Sequence, residues 1–376
     1  MKHQFNKILP FLYFKVFSKI DRLYWKFDDY PIERFREIYE IQENEIKIFH
    51  PEVDPTGNFD IKDIFAKHLI DIQTKYLYRF NVPTYLEPRH FWLIEKKTEK
   101  ILKRSRHNVF DPWGSPPPLP SLMDKMNIFK KRINLPYAIP IPKYMWFNYY
   151  HFFFDVVSQV IQLREFGISK DIPIIAPYKA KEVQYIKDFM KLSNLFHNQA
   201  ILFLKDNEFV HIGKEAIVVK NSYMNKQMIH TLLDSIDYRQ IQPYNNVPKK
   251  VFLTRDIKRN RTLKNIKEIE QLANSFGFEV VDTDGWSLAE QIAFFSKVEH
   301  VIGLHGAGLT NLLFGKDSIK KVLEIMPGDL NPGFYMHLSM ILGIQYKKIF
   351  GSKRELNENF YLNPTLFEQA LNEFMF

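Results

Sequence analysis

Val301-Ile302-Gly303-Leu304-His305-Gly306-Ala307-Gly308-Leu309-Thr310-Asn311 reads as an apolar strand that breaks into a glycine-spaced turn and runs on into a helix. Glycines at 303, 306 and 308 let backbone N–H groups approach a ligand, and a helix opening near Ala307 adds unpaired amides and the positive end of its dipole. That combination suits an anionic phosphate. The same glycines also suit a helix that packs tightly on a strand, so the stretch by itself supports two readings.

Working outward, a regular alternation appears from about Val247 onward. Strands are expected at Val251–Thr254, Phe278–Asp282, His300–Gly303, Lys321–Ile325 and Ile344–Ile349, with helices at Asn265–Phe276, Ser287–Lys297, Ala307–Phe314 and Phe334–Leu342. Ser287 and Glu290 are spaced as a capping box, which fixes one helix start. Strands alternating with helices imply an α/β fold, with a parallel sheet covered on both faces and ligands at the carboxyl ends of the strands.

The preceding part is less regular. A helix is expected at about 149–166, then strand 172–176, helix 180–192, and strands 200–204 and 216–219. Residues 1–140 read as an irregular, partly helical extension, with a proline-dense loop at Asp111–Pro120 that excludes helix and central strand. Ile241–Pro248 reads as a linker. The expected organisation is a first domain over 1–245, a nucleotide-binding-type domain over 246–350, and a segment 351–376 whose helix Pro364–Phe374 can cross back onto the first domain.

The chain has 376 residues, 45% of them apolar, enough for about two domains. No stretch approaches the roughly 18 apolar residues that span a bilayer. With no cysteine, disulfides, thiolate metal sites and cysteine catalysis are excluded, which fits a cytoplasmic protein. A formal charge of +9 favours an anionic partner, but zinc fingers, RNA-binding signatures and Lys/Arg-rich arms are missing, so nucleic acid is not expected. Residues 2–27 interleave five lysines and arginines from Lys7 to Lys26 with aromatic rings. Such a segment either touches an anionic inner-leaflet surface or docks as an ordinary amphipathic helix.

Several side chains can carry chemistry. Arg255 follows the first strand of the second domain, with Arg259 and Arg261 close behind, well placed to clamp a phosphate through bidentate hydrogen bonds. His151 and Asp155 are spaced i,i+4 on one helix face; they form either a general base with its orienting partner or a buried structural pair. Glu324, near a strand end, could accept hydrogen bonds from ribose hydroxyls. His305 can donate to a phosphate or a leaving oxygen. Asp282 and Asp284 could hold a divalent ion, but Asp is expected there as turn chemistry. A Gly-x-Ser-x-Gly elbow is missing, which removes a serine-hydrolase reading of the glycine turn.

Taken in order, Asn148-Tyr149-Tyr150-His151 with Asp155, Thr254-Arg255 through Arg261 and Asn265, Gly277–Val281, Ser287–Gln291, His305–Asn311 and Val322–Ile325 resemble the family 61 glycosyltransferases, including the bacterial polysaccharide-building branch. The resemblance spans about residues 145 to 350. It implies a GT-B-like architecture, two Rossmann-like domains facing a central cleft, and inverting transfer from a nucleotide sugar, commonly without metal. On that pattern the donor is held by Arg255, Arg259 or Arg261, Gly303, His305, Gly306, Ala307, Gly308, Asn311 and Glu324, and the acceptor hydroxyl is deprotonated by His151 or Asp155.

The resulting expectation is a UDP-linked sugar donor, a surface-polysaccharide or lipid-linked glycan acceptor, no cofactor and no metal, at the inner face of the membrane. The alternatives are a non-catalytic glycan- or membrane-binding assembly protein on the same fold, and a transferase that moves a non-sugar group onto a polysaccharide.

Overall fold

A computed structural model describes residues 38–42, 74–87, 90–98, 102, 131–220, 226–255, 261–355 and 358–375. The basic aromatic segment 2–27, the proline-dense loop 111–120 and Arg259 lie outside these residues. The chain divides into two compact units, one built on Thr74–Ile186 and Leu195–Ser222, the other on Lys187–Asn194 and Tyr223–Phe376. The division therefore falls at 222/223, ahead of the expected linker, and draws the end of the helix Gln184–Leu192 into the second unit.

The first unit carries β1 (Ile38–Gln42), β2 (Thr74–Phe80), β3 (Thr84–Leu86), β4 (Leu93–Glu95), β5 (Lys131–Pro140), β6 (Ile174–Pro177), β7 (Ile201–Leu204) and β8 (Glu208–Lys220). They form one sheet in the order β1-β2-β8-β5-β6-β7, with β3 joining β8 to β4. Strands β8, β5, β6 and β7 pair in parallel, whereas β1, β2, β3 and β4 pair antiparallel. The described residues before 140 are thus largely strand, where an irregular and partly helical extension was expected. A helical segment over 149–165 buries Val156, Val157, Val160, Ile161 and Leu163.

The second unit holds β9 (Lys250–Leu253), β10 (Glu279–Val281), β11 (His300–Leu304), β12 (Lys321–Met326) and β13 (Gln345–Phe350), all parallel, in the order β10-β9-β11-β12-β13. Both faces are buried, as expected when strands such as Val301-Ile302 and Val322-Leu323 are apolar at consecutive positions. On one face Phe252, Ile302, Leu323, Ile325 and Ile349 meet the helices Ile266–Ser275 and Pro364–Met375. Phe367 sets its ring edge-on against Phe252, with centroids 6.4 Å apart. The last helix belongs to this core, because Phe367, Leu371 and Phe374 are apolar at helical spacing and each buried side chain contributes roughly 1.5–3 kcal/mol.

The capping box forms as read: Ser287 Oγ accepts from Glu290 N–H, and Glu290 Oε2 accepts from Ser287 N–H at 2.7 Å. The helix after the glycine turn is a 3₁₀ helix, Ala307–Gly315, in place of an α-helix. Gly343, at φ +71°, ends the helix Phe334–Leu342 in the left-handed conformation and turns the chain into β13.

Candidate functional site

The strand order reverses between β9 and β11. From β9 the chain passes to β10 on one side, while β11, β12 and β13 extend the sheet on the other. Ligands of open parallel sheets bind at such a reversal, outside the carboxyl ends of the two strands. Leu253 and Gly303 are level in the sheet, so Arg255 and Gly306 project just beyond it side by side.

Their contact is close. A Cβ on Gly306 would stand 1.8 Å from Arg255 Nη2 and 2.9 Å from its Cζ, so the guanidinium rests against the glycine backbone. Gly306 is extended, at φ 161°, and no backbone strain calls for glycine there; the arginine does. The other two glycines do different jobs. A Cβ on Gly303 would meet Leu309 Cδ2 at 2.7 Å, which makes Gly303 a packing position, while Gly308 faces open space. The turn therefore serves both readings of its sequence, one glycine at a time. Gly306 precedes the 3₁₀ helix without a side-chain cap, leaving Ala307 at its opening.

Arg261 sits at φ +64° with its side chain about two-fifths exposed, 3.7 Å from Glu358. Thr262 Oγ1 donates to the Arg255 carbonyl at 3.4 Å, and Thr262 N–H donates to the Asn359 side chain, so the residue after Arg261 is tied to the Arg255 backbone. Burial drives the Tyr335 hydroxyl well above its ordinary pKa, Glu324 adds to the rise, and Arg255 and Arg261 oppose it. Both cations therefore act on the same buried tyrosine.

Glu324 is fully buried. Its Oε1 accepts from His305 Nδ1–H at 2.5 Å, and its Oε2 accepts from the Tyr346 hydroxyl. Both oxygens are engaged inside the protein, and Glu324, read from the sequence as a ribose acceptor, stands behind His305. Asn311 is likewise buried, and its amide donates to Gln291 at 2.8 Å. It joins the 3₁₀ helix to the helix Leu288–Phe295. Asp282 Oδ1 accepts from Asp284 N–H at 3.0 Å, the turn chemistry read from the sequence. Among the described residues no group of three or more His, Cys, Asp or Glu gathers as for a metal ion.

In the first unit, Asn148 caps the helical segment by accepting from His151 N–H. His151 Nδ1–H donates to Asp155 Oδ2 at 2.6 Å. The rings of Tyr144 and Tyr150 stand edge-on to the imidazole, at 6.0 and 5.6 Å. Burial presses the His151 pKa down, but the Asp155 hydrogen bond and charge outweigh it, and the net is a rise. With Nδ1 committed, Nε2 is the proton-accepting atom. Immediately after His151 the helix widens into a π turn, Phe152–Val157, a feature that often marks functional positions.

These residues fall inside a recognisable family pattern. Residues 149–323 match the Glycosyltransferase 61 family. The matched segment is just under half of the chain and contains the His151–Asp155 pair, both arginines and the glycine turn. It supports a glycosyltransferase with a sugar donor and a glycan acceptor. No curated protein compared with the chain matches it. Among the described residues no helix is long and apolar enough to cross a membrane.

Sequence reasoning did not find Tyr335 and Tyr346 beside the glycine turn. Tyr346 stands between Gln345 and Lys347 near the start of β13, buried between partly exposed polar neighbours, and reads as an inward-facing core position of an alternating strand. Its spacing from Glu324, one strand over, becomes visible only from the β12–β13 register, in which Glu324 stands opposite Lys348.

Proposed function

We propose that this chain is an inverting, metal-independent GT-B glycosyltransferase that moves a sugar from a UDP-linked donor to a hydroxyl of a growing surface polysaccharide or lipid-linked glycan at the inner face of the membrane. The observation that carries it is the Arg255 guanidinium laid against the Gly306 turn, at the sheet's switch point and inside the family match.

The chemistry follows from the residues. His151 Nε2 takes the acceptor hydroxyl proton, and the oxygen attacks the anomeric carbon from the face opposite the leaving group. The bond from that carbon to the diphosphate oxygen breaks and its electron pair goes to the diphosphate. Arg255, Arg261, His305 and the amides at Ala307 and Gly308 meet the growing charge with donors already in place. Asp155 stabilises the imidazolium that forms on His151. Fixed cations of this kind do the work for which other transferases use a divalent ion.

A thermal-shift panel of nucleoside mono-, di- and triphosphates and nucleotide sugars tests the reading, because a ligand of the folded state raises the melting temperature. UDP and UDP-sugars should stabilise most, in EDTA as well as without it. An Arg261→Ala protein that binds UDP as tightly as wild type would defeat the phosphate assignment. Turnover lost in EDTA and restored by manganese would point to Asp282 and Asp284. Hydrolysis of the donor sugar without acceptor separates an enzyme from a non-catalytic binding protein on the same fold.

A further inference from the structure

We propose that Glu324 is a positioning residue, fixing the His305 ring so that its Nε2–H is the atom presented to the diphosphate. This rests on the reading that the Gly306–Gly308 turn receives that group. Three features hold the ring. Glu324 takes Nδ1–H at 2.5 Å from inside the sheet, Phe334 lies near-parallel to it with centroids 6.5 Å apart, and Tyr335 meets it at 5.7 Å. An imidazole has two ring nitrogens on opposite sides. With one committed to the protein interior, the other is its only polar atom for a ligand.

Gly303 stands in register with Glu324 on the neighbouring strand, and His305 follows two residues later, just past the end of β11. Lys348, in register on the other side, reaches Asn331. Tyr346 supplies the second donor to Glu324, and its burial together with Glu324 holds the phenol proton in place. A buried carboxylate that accepts two hydrogen bonds has its oxygens satisfied inside the protein, and it holds the imidazole with Nδ1 turned inward. No covalent step is required: His305 takes a proton at Nε2 from solvent and shares it by hydrogen bond with a diphosphate oxygen. The groups set against the ring are Glu324 on β12 and Phe334 and Tyr335 at the start of the helix Phe334–Leu342.

Two measurements test it. Titration calorimetry with UDP, and separately with inorganic pyrophosphate, on wild type and Glu324→Gln at one pH should show the variant binding about tenfold more weakly, as expected for a lost charge-assisted hydrogen bond. Tyr346→Phe keeps the carboxylate and should retain most of the affinity. A Glu324→Gln protein that binds both ligands as tightly as wild type overturns the proposal. Independently, long-range ¹H–¹⁵N spectra of ¹⁵N-histidine-labelled wild type without ligand, assigned with His305→Gln, should show Nδ1 carrying a hydrogen; a bare Nδ1 overturns the proposal whatever the binding data show. If the spectrum is as expected but neither UDP nor pyrophosphate binds wild type, the diphosphate reading of the turn fails, and this proposal with it.

Discussion

The Arg255 guanidinium fills the space that a side chain on Gly306 would occupy, with 1.8 Å between Nη2 and a Cβ built there. The clash is with the far end of a flexible side chain and not with backbone. Gly306→Ala should therefore leave the melting temperature nearly unchanged while swinging the guanidinium off the turn. UDP affinity, read by calorimetry, should drop about tenfold, the scale of one charge-assisted hydrogen bond.

Gly351 is the contrasting case. A Cβ there would approach the Tyr361 carbonyl oxygen at 2.6 Å as well as the Phe360 ring, and backbone cannot step aside. Gly351→Ala should cost about 1–3 kcal/mol, as overpacking does, seen as a lower denaturation midpoint at constant slope.

Arg255→Lys should behave much more like Arg255→Ala than like wild type in nucleotide binding. A lysine keeps the charge but loses the planar fork that lies flat against Gly306 and can grip two phosphate oxygens together. Equal affinity of the lysine variant and wild type for UDP would refute a bidentate clamp.

His151 should titrate above the ordinary imidazole value of 6.5, since Asp155 more than offsets burial. Because the folded-state value is raised, protonated His151 adds stability below pH 6.5, and that contribution is lost as pH climbs through the folded-state midpoint. Asp155→Asn removes the charge and leaves burial to act, so the midpoint should fall. NMR titration of the ring resonances reads both, and an unchanged midpoint in the variant would remove Asp155 as the partner that tunes the His151 ring.

Asn311→Ala should lower stability by about 1–3 kcal/mol, because it strands the buried Gln291 carbonyl. Thermal melting checks this directly.

The second unit was legible because its strands are buried on both faces. Short apolar runs ending in Thr254, Asp282 or Gly303 leave little room for another assignment, and the structure places all five where the alternation puts them. The first unit hid more. In β5 the alternation Ile133, Leu135, Tyr137 is interrupted by Pro136, which argues against a strand; the structure accommodates it at a register shift between Leu135 and Tyr137. In β8, Gly213-Lys214-Glu215 breaks a strand of 13 residues, so only its apolar end was visible. At the site, the residues with special backbone surroundings were readable, and those defined by cross-strand register were not. Glu324 drew attention as an acid near a strand end, but its partners His305 and Tyr346 come from two different neighbouring strands.

The π turn at Phe152–Val157 means that the bearing of His151 is stored as a residue count. An α-helix rotates about 100° per residue, and the turn holds one residue more than an α-helical path would need. Deleting a single residue between 152 and 157 could restore a plain helix, keep Val160, Ile161 and Leu163 in the core, and swing the imidazole roughly 100° around the axis. Insertions and deletions, rather than point substitutions, are thus the changes that re-aim His151 while leaving the scaffold alone.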